Sequence, residues 1–137
     1  LYSNFGKNFV KKILKTSQKR QLYIVDDQIG SPTYAKDLAL SVLEIISNKN
    51  YEWSVGDIFN FSNEGSCSWF EFAIEISNIA NLKAQINKIS SQDLASSSKR
   101  PSYSVMDNSK FKNIFGLSIN SWRESLRIML KTELAKI

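Results

Sequence analysis

Residues 25–39 read Val-Asp-Asp-Gln-Ile-Gly-Ser-Pro-Thr-Tyr-Ala-Lys-Asp-Leu-Ala, and this stretch decides the fold class. The apolar run at residues 22–25 predicts a buried strand, and residues 26–33 predict a tight loop. Residues 34–48 carry the apolar stripe of an amphipathic helix. A strand, a loop and a helix in this order are typical of α/β proteins, which bind ligands beside the loops at the carboxyl ends of their strands. The loop is therefore the first candidate ligand site.

The rest of the chain continues this alternation of helices and strands. Further helices are predicted at residues 7–19, at about 69–80, from Asn108 or Ser109 to Gly116, and from Ser121 to about residue 135. Further strands are predicted at Ile58–Ser62 and Gln85–Ile89, with a Ser-rich loop between residues 90 and 98. So few strands are unusual for an independent doubly wound sheet. We therefore expect residues 1–137 to form a single α/β domain that packs against a sheet outside this sequence.

The composition narrows the classes of function. The chain has 137 residues, a net charge of +5, one cysteine and no histidine. Histidine-based catalysis and zinc-type sites are therefore excluded within it, and we expect no metal site. Cys67 has no partner for an internal disulfide, which fits the cytoplasm. No run is long enough to span a membrane, and the absence of an initiating Met predicts a chain that begins inside a longer protein.

Five blocks of the sequence, in order, resemble the dTDP-4-dehydrorhamnose reductases of the extended short-chain dehydrogenase/reductase superfamily. The blocks are residues 6–10, 25–39, 66–73, 99–110 and 122–126. The resemblance implies a protein that reduces dTDP-4-dehydro-L-rhamnose to dTDP-L-rhamnose with NADPH or NADH. The product enters bacterial surface polysaccharides, such as the O-antigen of lipopolysaccharide.

The resemblance also implies a fold of two parts, an N-terminal Rossmann domain and a smaller C-terminal substrate-binding domain. The family's glycine-rich dinucleotide loop and its catalytic Tyr-x-x-x-Lys pair have no counterpart in this sequence. We therefore expect a C-terminal substrate-binding portion, with the main dinucleotide-binding sheet absent. It should contain no catalytic residue, bind no cofactor by itself and be inactive alone.

The resemblance marks six candidate substrate-binding residues: Asn8, Gln28, Gly30, Ser31, Lys99 and Arg100. Asn8 is expected near the diphosphate of the sugar nucleotide, or as a simple helix cap. Gln28, Gly30 and Ser31 lie in the loop after the first strand, where backbone N–H groups suit a phosphate or a base edge, although the loop also reads as an ordinary tight turn. Arg100 precedes a proline and is expected to grip the diphosphate through two parallel hydrogen bonds, with Lys99 assisting as a point charge. The alternative for this pair is a basic surface.

Several other conspicuous residues have structural interpretations. Asp26 and Asp27 point to opposite faces of a strand end, so loop hydrogen bonding is favoured over a shared metal ion. Asp37 suits the first turn of its helix. Cys67 is expected to be inert. Trp69, Phe70, Phe72 and Trp122 are predicted to be core residues.

Two other classes of function stay open. The same scaffold serves as a non-catalytic regulatory subunit of methionine adenosyltransferase, which an intact upstream Tyr-x-x-x-Lys pair would argue against. The net positive charge also fits a nucleic-acid-binding module, but no nucleic-acid motif accompanies it. The expected partners are a dTDP-sugar and the missing N-terminal Rossmann part, without nucleic acid or membrane. Formation of a homodimer is left open.

Overall fold

The computed structural model of the chain describes residues 1–16, 21–47, 51–52, 56–94 and 100–135. Helices and strands alternate along these ranges. In chain order they are α1 (Phe9–Thr16), β1 (Gln21–Val25), β2 (Ile29–Gly30), α2 (Ala35–Ser47), β3 (Cys67–Ser68), α3 (Trp69–Ile79), β4 (Gln85–Ile89), α4 (Ser109–Phe115) and α5 (Trp122–Leu134). No helix within these ranges combines the length and the apolar character needed to cross a bilayer.

Two small sheets organise the described chain. β1 pairs in parallel with β4, in a register that places Val25 beside Ile89. Parallel neighbours require a crossover connection, and this one contains α2 and α3. β2 pairs antiparallel with β3, with Ile29 opposite Ser68. The loop after β1 is thereby held against the beginning of α3.

The hydrophobic core is built around α3, which contacts α1, α5 and the strands β1 and β4. The rings of Phe72 and Trp122 meet edge to face with their centroids 5.7 Å apart. Both side chains are 1% exposed, which confirms their prediction as core residues. The other fully buried apolar side chains of this cluster include Val10, Ala73, Ile76, Leu126, Met129 and Leu130. The predicted helices around residues 7–19, 69–80 and 121–135 therefore supply the core.

A buried polar centre fixes the start of α2. The side-chain amide of Asn63 donates to Asp37 Oδ2 at 2.7 Å and to Ser125 Oγ at 3.0 Å, and its oxygen accepts from the backbone N–H of Tyr34 at 2.7 Å. Asn63 is completely buried, so its side-chain oxygen and its amide nitrogen both need hydrogen-bond partners within the protein. Asp37, predicted to support the first turn of its helix, therefore also ties α2 to α5.

The strand predicted at Ile58–Ser62 is wrong, because the structure is irregular there. The alternating apolar residues are typical of a strand, but no described segment forms a ladder with them. At the Ser62 end of this segment, the Asn108 side chain makes the backbone hydrogen bonds that a neighbouring strand would otherwise make. It accepts from the backbone N–H of Ser62 at 3.1 Å and donates to the Ser62 carbonyl at 2.9 Å. At the other end Ile58 is 77% exposed.

The loop predicted at residues 26–33 also needs a correction, because Ile29–Gly30 within it forms β2. Its partner Cys67–Ser68, for which no strand was predicted, forms β3. A strand of two residues carries no readable periodicity, so its pairing depends on the tertiary fold.

The apolar stripe of α2 faces outward in the described structure. None of its residues is buried, and Leu40, Leu43 and Ile46 are 53%, 61% and 70% exposed. Scattered exposed apolar residues are ordinary, but a contiguous apolar helix face marks a surface that another element covers. This helix has the amphipathic pattern predicted for it, without a described element on its apolar side.

Candidate ligand-binding cleft

A cleft of about 370 Å³ lies where β2, β3, the start of α3 and residues 100–104 meet. Ile29 joins these segments. Its backbone N–H donates to the Ser102 carbonyl at 2.7 Å, and its carbonyl accepts from the Ser104 N–H at 2.9 Å. β2 is thus flanked by β3 on one side and by residues 102–104 on the other. This arrangement brings Arg100 to the loop after β1.

The cleft gathers most of the residues that the sequence marked as candidates. Gln28, Gly30, Ser31 and Arg100 all line it. Arg100 is exposed and is the one charged side chain among the described lining residues. No described carboxylate forms an ion pair with it. The cleft is therefore suited to an anionic group, because a guanidinium binds phosphate or carboxylate oxygens through paired hydrogen bonds.

The side chain of Ser104 lies so close to position 30 that only a glycine fits there without a shift. A Cβ at this position would lie 2.8 Å from Ser104 Oγ. Gly30 is not one of the glycines with positive φ in the described structure, so the close approach of Ser104 explains a glycine here better than an unusual backbone conformation does. Ser31 follows Gly30, and its hydroxyl donates to the Gly65 carbonyl at 2.7 Å. This bond ties the cleft wall to the turn that precedes β3.

Asn8 does not join this group. The Asn8 side-chain oxygen accepts from the backbone N–H of Lys11 at 3.1 Å, and its amide donates to the Ser3 carbonyl at 2.8 Å. Asn8 thus caps α1, the alternative given for it, and does not line the cleft. Lys99 lies outside the described residues.

Two carboxylates hold the loops that border the cleft. Asp26 accepts from Lys88 Nζ at 2.7 Å and from Ser68 Oγ at 2.6 Å, and these two donors lower the pKa of its carboxyl. Asp27 accepts from the hydroxyl of Ser91 at 2.6 Å and from its backbone N–H at 2.8 Å, which lowers the pKa of Asp27. Both act in hydrogen bonding between loops, and no described cluster of carboxylates, Cys or His has the arrangement of a metal site.

Trp69 is a cleft residue that the sequence analysis assigned to the core. Its ring packs against Phe9, with the centroids 4.7 Å apart, but the side chain is only partly buried and lines the cleft. The available signal was its place directly after Ser68, at the junction between a strand and a helix. Such junctions carry ligand sites in α/β folds.

Cys67 also lines the cleft, but it is not suited to nucleophilic chemistry. Burial, with a smaller contribution from the Glu71 carboxylate, raises the pKa of the Cys67 thiol to about 12. The thiol is therefore protonated at neutral pH, and the thiolate is the reactive form. The chemistry available to the described cleft is recognition of an anionic ligand with an apolar portion.

Comparison with known proteins shows which proteins this chain resembles. Spore coat polysaccharide biosynthesis protein SpsK of Bacillus subtilis is 37% identical over 96% of this chain and 44% of its own length. The dTDP-4-dehydrorhamnose reductase of Aggregatibacter actinomycetemcomitans is 34% identical over 92% of this chain and 46% of its own. The chain thus spans about half the length of the curated relatives it matches.

The fold agrees with solved structures of the same group. The crystal structure of dTDP-4-dehydrorhamnose reductase from Bacillus anthracis, in complex with NADP, superposes with a TM-score of 0.86 at 34% identity. The matched region covers 96% of this chain and 45% of that one. The chain therefore has the fold of the substrate-binding portion of RmlD-like extended short-chain dehydrogenase/reductases. The sequence profile described as RmlD substrate binding domain matches residues 1–135, and the chain belongs to this family.

Proposed function

We propose that this chain is the substrate-binding portion of a dTDP-4-dehydrorhamnose reductase and holds a dTDP-sugar in the described cleft. The observation that carries the proposal is Arg100, which lies beside Gln28, Gly30 and Ser31. Among the described residues it is the one charged side chain that lines the cleft, and no described carboxylate pairs with it. A nucleoside diphosphate sugar matches this lining, with the diphosphate at Arg100 and the rest of the ligand along the loop after β1. The resemblance also marks Asn8 and Lys99 as contacts to the diphosphate, and these two assignments stay predictions.

The reaction itself is assigned to residues outside this sequence. Reduction of a keto sugar adds a hydride to the carbonyl carbon and a proton to its oxygen, so it needs a dinucleotide site and a proton donor. The residues of this chain do not fit a dinucleotide: its five glycines are dispersed, and no G-x-G-x-x-G motif follows a strand. NADPH or NADH and the catalytic residues would therefore belong to the Rossmann part that the resemblance implies. The proposed setting is the cytoplasm, in synthesis of surface polysaccharide.

The exposed face of α2 supports the existence of such a part. Leu43 and Ile46 would be costly to leave in water over a whole helix face, and Ile58 on the neighbouring irregular segment is also exposed. The relatives are about twice as long as this chain. A Rossmann part packed on α2 would cover these side chains and bring the reacting groups to the cleft.

The test of the proposal is replacement of Arg100 by alanine. Loss of charge-assisted hydrogen bonds to phosphate should weaken dTDP-sugar binding about tenfold or more. Isothermal titration calorimetry with dTDP-rhamnose measures this directly, without any need for turnover. The matched control is Arg127→Ala, because Arg127 is an exposed arginine that pairs with Glu75 at 3.3 Å, outside the cleft.

Two results would contradict the proposal. If the original chain binds no dTDP-sugar, or if Arg100→Ala and Arg127→Ala bind it equally well, the cleft is not the nucleotide-sugar site. Binding without any reductase activity in the longer protein would instead favour the regulatory-subunit alternative. Steeply salt-dependent binding to unrelated DNA would favour the nucleic-acid alternative.

A further inference from the structure

Beyond the end of the β1–β4 ladder, side chains replace the backbone in holding the two following loops together. The last backbone bond runs from the Asp26 N–H to the Ile89 carbonyl at 3.2 Å. After it, Asp27 accepts from the Ser91 hydroxyl at 2.6 Å and from the Ser91 backbone N–H at 2.8 Å. The same hydroxyl oxygen accepts from the Gln28 amide at 2.7 Å. Ser91 is therefore bonded to two successive residues of the loop after β1.

Asp27 determines which end of the Gln28 carboxamide faces Ser91. The two donors of Ser91 lower the pKa of the Asp27 carboxyl, so it is ionised at neutral pH. Ser91 has one hydroxyl hydrogen, and because Asp27 takes it, the hydroxyl oxygen accepts from the Gln28 amide nitrogen. Without this carboxylate the hydroxyl is free to donate to the Gln28 oxygen instead. Both orientations of the carboxamide would then be open.

The loop after β4 forms part of the wall of a second cavity. This cavity, of about 800 Å³, lies beside α1 and β1, and Gln28 and Arg100 line both it and the cleft. Ser91, Gln92 and Leu94 line the second cavity on the side of the loop after β4. A ligand held by Arg100 in the cleft is therefore next to this wall.

The remaining hydrogen bonds of residues 90–94 are internal in the described structure. The Ser90 hydroxyl donates to the Asp93 carboxylate at 2.6 Å and accepts from the Asp93 N–H at 3.2 Å. The Leu94 N–H donates to the Ser90 carbonyl at 3.2 Å. These bonds close a turn without joining it to another element. Among the described hydrogen bonds, those of Ser91 are the ones that fix the turn against the loop after β1.

We propose that Asp27 and Ser91 are positioning residues for the ligand: they fix the orientation of the Gln28 carboxamide and hold residues 90–94 in place as a wall of the second cavity. A ligand that meets an ordered wall loses less conformational entropy on binding than a ligand that must order it. The inference rests on the proposed function, since the ligand is the nucleotide sugar assigned to the cleft. It extends the loop hydrogen bonding predicted for Asp27 to an effect on affinity.

The experiment compares the two serine–aspartate pairs of this loop by isothermal titration calorimetry with dTDP-rhamnose. Ser91→Ala and Asp27→Ala should each weaken binding about five- to tenfold, because the ligand must then order the wall. The matched controls are Ser90→Ala and Asp93→Ala, which remove the bond of 2.6 Å within the turn. Asp93→Ala also makes the same change of charge as Asp27→Ala. Both controls should stay within about twofold of the original chain.

Three further measurements separate positioning from a role in folding. Ser91→Thr keeps the hydroxyl and the backbone N–H, so it should bind like the original chain. The double variant of Asp27→Ala and Ser91→Ala should bind no more weakly than either single variant, because both substitutions break the same link. Melting curves should place the single alanine variants within about 3 °C of the original chain, since none of these side chains is buried.

The possible results separate this inference from the proposed function. Equal affinities of Ser91→Ala and Ser90→Ala would overturn the positioning role while leaving the nucleotide-sugar site in place. Additive losses in the double variant would overturn it as well, because the two residues would then act separately. A large fall in melting temperature that accompanies the lost affinity would replace it with a purely structural role. If the original chain binds no dTDP-rhamnose, the proposed function itself fails.

Discussion

Gly30 illustrates how the cleft depends on a single missing methyl group. A Cβ there would lie 2.8 Å from Ser104 Oγ, and the Ser104 hydroxyl donates to the Ile29 carbonyl at 3.2 Å. We expect Gly30→Ala to lower the free energy of unfolding by about 1 kcal/mol, because the hydroxyl must rotate away and its hydrogen bond is lost. Urea denaturation followed by circular dichroism measures the change.

The control is Gly30→Ala in a chain that lacks the Ser104 hydroxyl. In a Ser104→Ala background the methyl group has space, so Gly30→Ala should cost almost nothing. The two costs, compared in a double-mutant cycle, give the interaction between the two positions. Equal costs in both backgrounds would mean that Gly30 is needed for a reason other than the approach of Ser104.

At the scale of elements, α3 and α5 begin with the same device but in different surroundings. In each, a serine side chain accepts from the backbone N–H of a glutamate three residues later, at Ser68–Glu71 and at Ser121–Glu124. Ser68 is buried and also donates to Asp26 at 2.6 Å. We expect Ser121→Ala to cost about 1 kcal/mol of unfolding free energy, the usual value of a cap. Ser68→Ala should cost about 2 kcal/mol, because the bond to Asp26 is lost as well.

Urea denaturation of the two variants under identical conditions provides the comparison. Asp26→Asn tests the extra cost of Ser68→Ala, because it weakens the acceptor without touching the cap. In that background, the difference between Ser68→Ala and Ser121→Ala should shrink. If Ser68→Ala costs no more than Ser121→Ala in the original chain, the bond to Asp26 contributes nothing to stability.

The same elements indicate what the sequence could and could not predict. The Ser-x-x-Glu signal at Ser121 and the glycine at residue 116 predicted helix ends that the structure confirms, because caps are local. The pairing of β2 with β3 was not predictable, since two residues hold no pattern. The strand predicted at Ile58–Ser62 is wrong for the opposite reason. The alternation of apolar residues is present, but a strand also needs a second segment to pair with, and no described segment pairs with this one. Trp69 was assigned to the core because an aromatic at helical spacing usually packs inside, and its partial exposure depends on the tertiary arrangement.

At the scale of the whole molecule, the proposed function divides recognition and reaction between regions of sequence. The described cleft has a cation and an apolar wall but no described group suited to donate a proton at neutral pH, since the Cys67 thiol has a strongly raised pKa. The relatives are about twice as long. Under the proposed function, the apolar face of α2 is the surface that joins the two regions, and its side chains should be sensitive to substitution only when both are present.

This division predicts a context-dependent effect of charge on α2. Leu43 and Ile46 are 61% and 70% exposed in this chain, so Leu43→Glu with Ile46→Glu should change its unfolding free energy by no more than about 0.5 kcal/mol. Joined to the N-terminal half of the Bacillus anthracis reductase, the same pair should cost several kcal/mol, because the charges would be buried without partners. Ile128→Glu on α5, at a position 47% exposed, should have little effect in either protein. Equally small effects of the α2 pair in both would mean that the Rossmann part does not cover this helix.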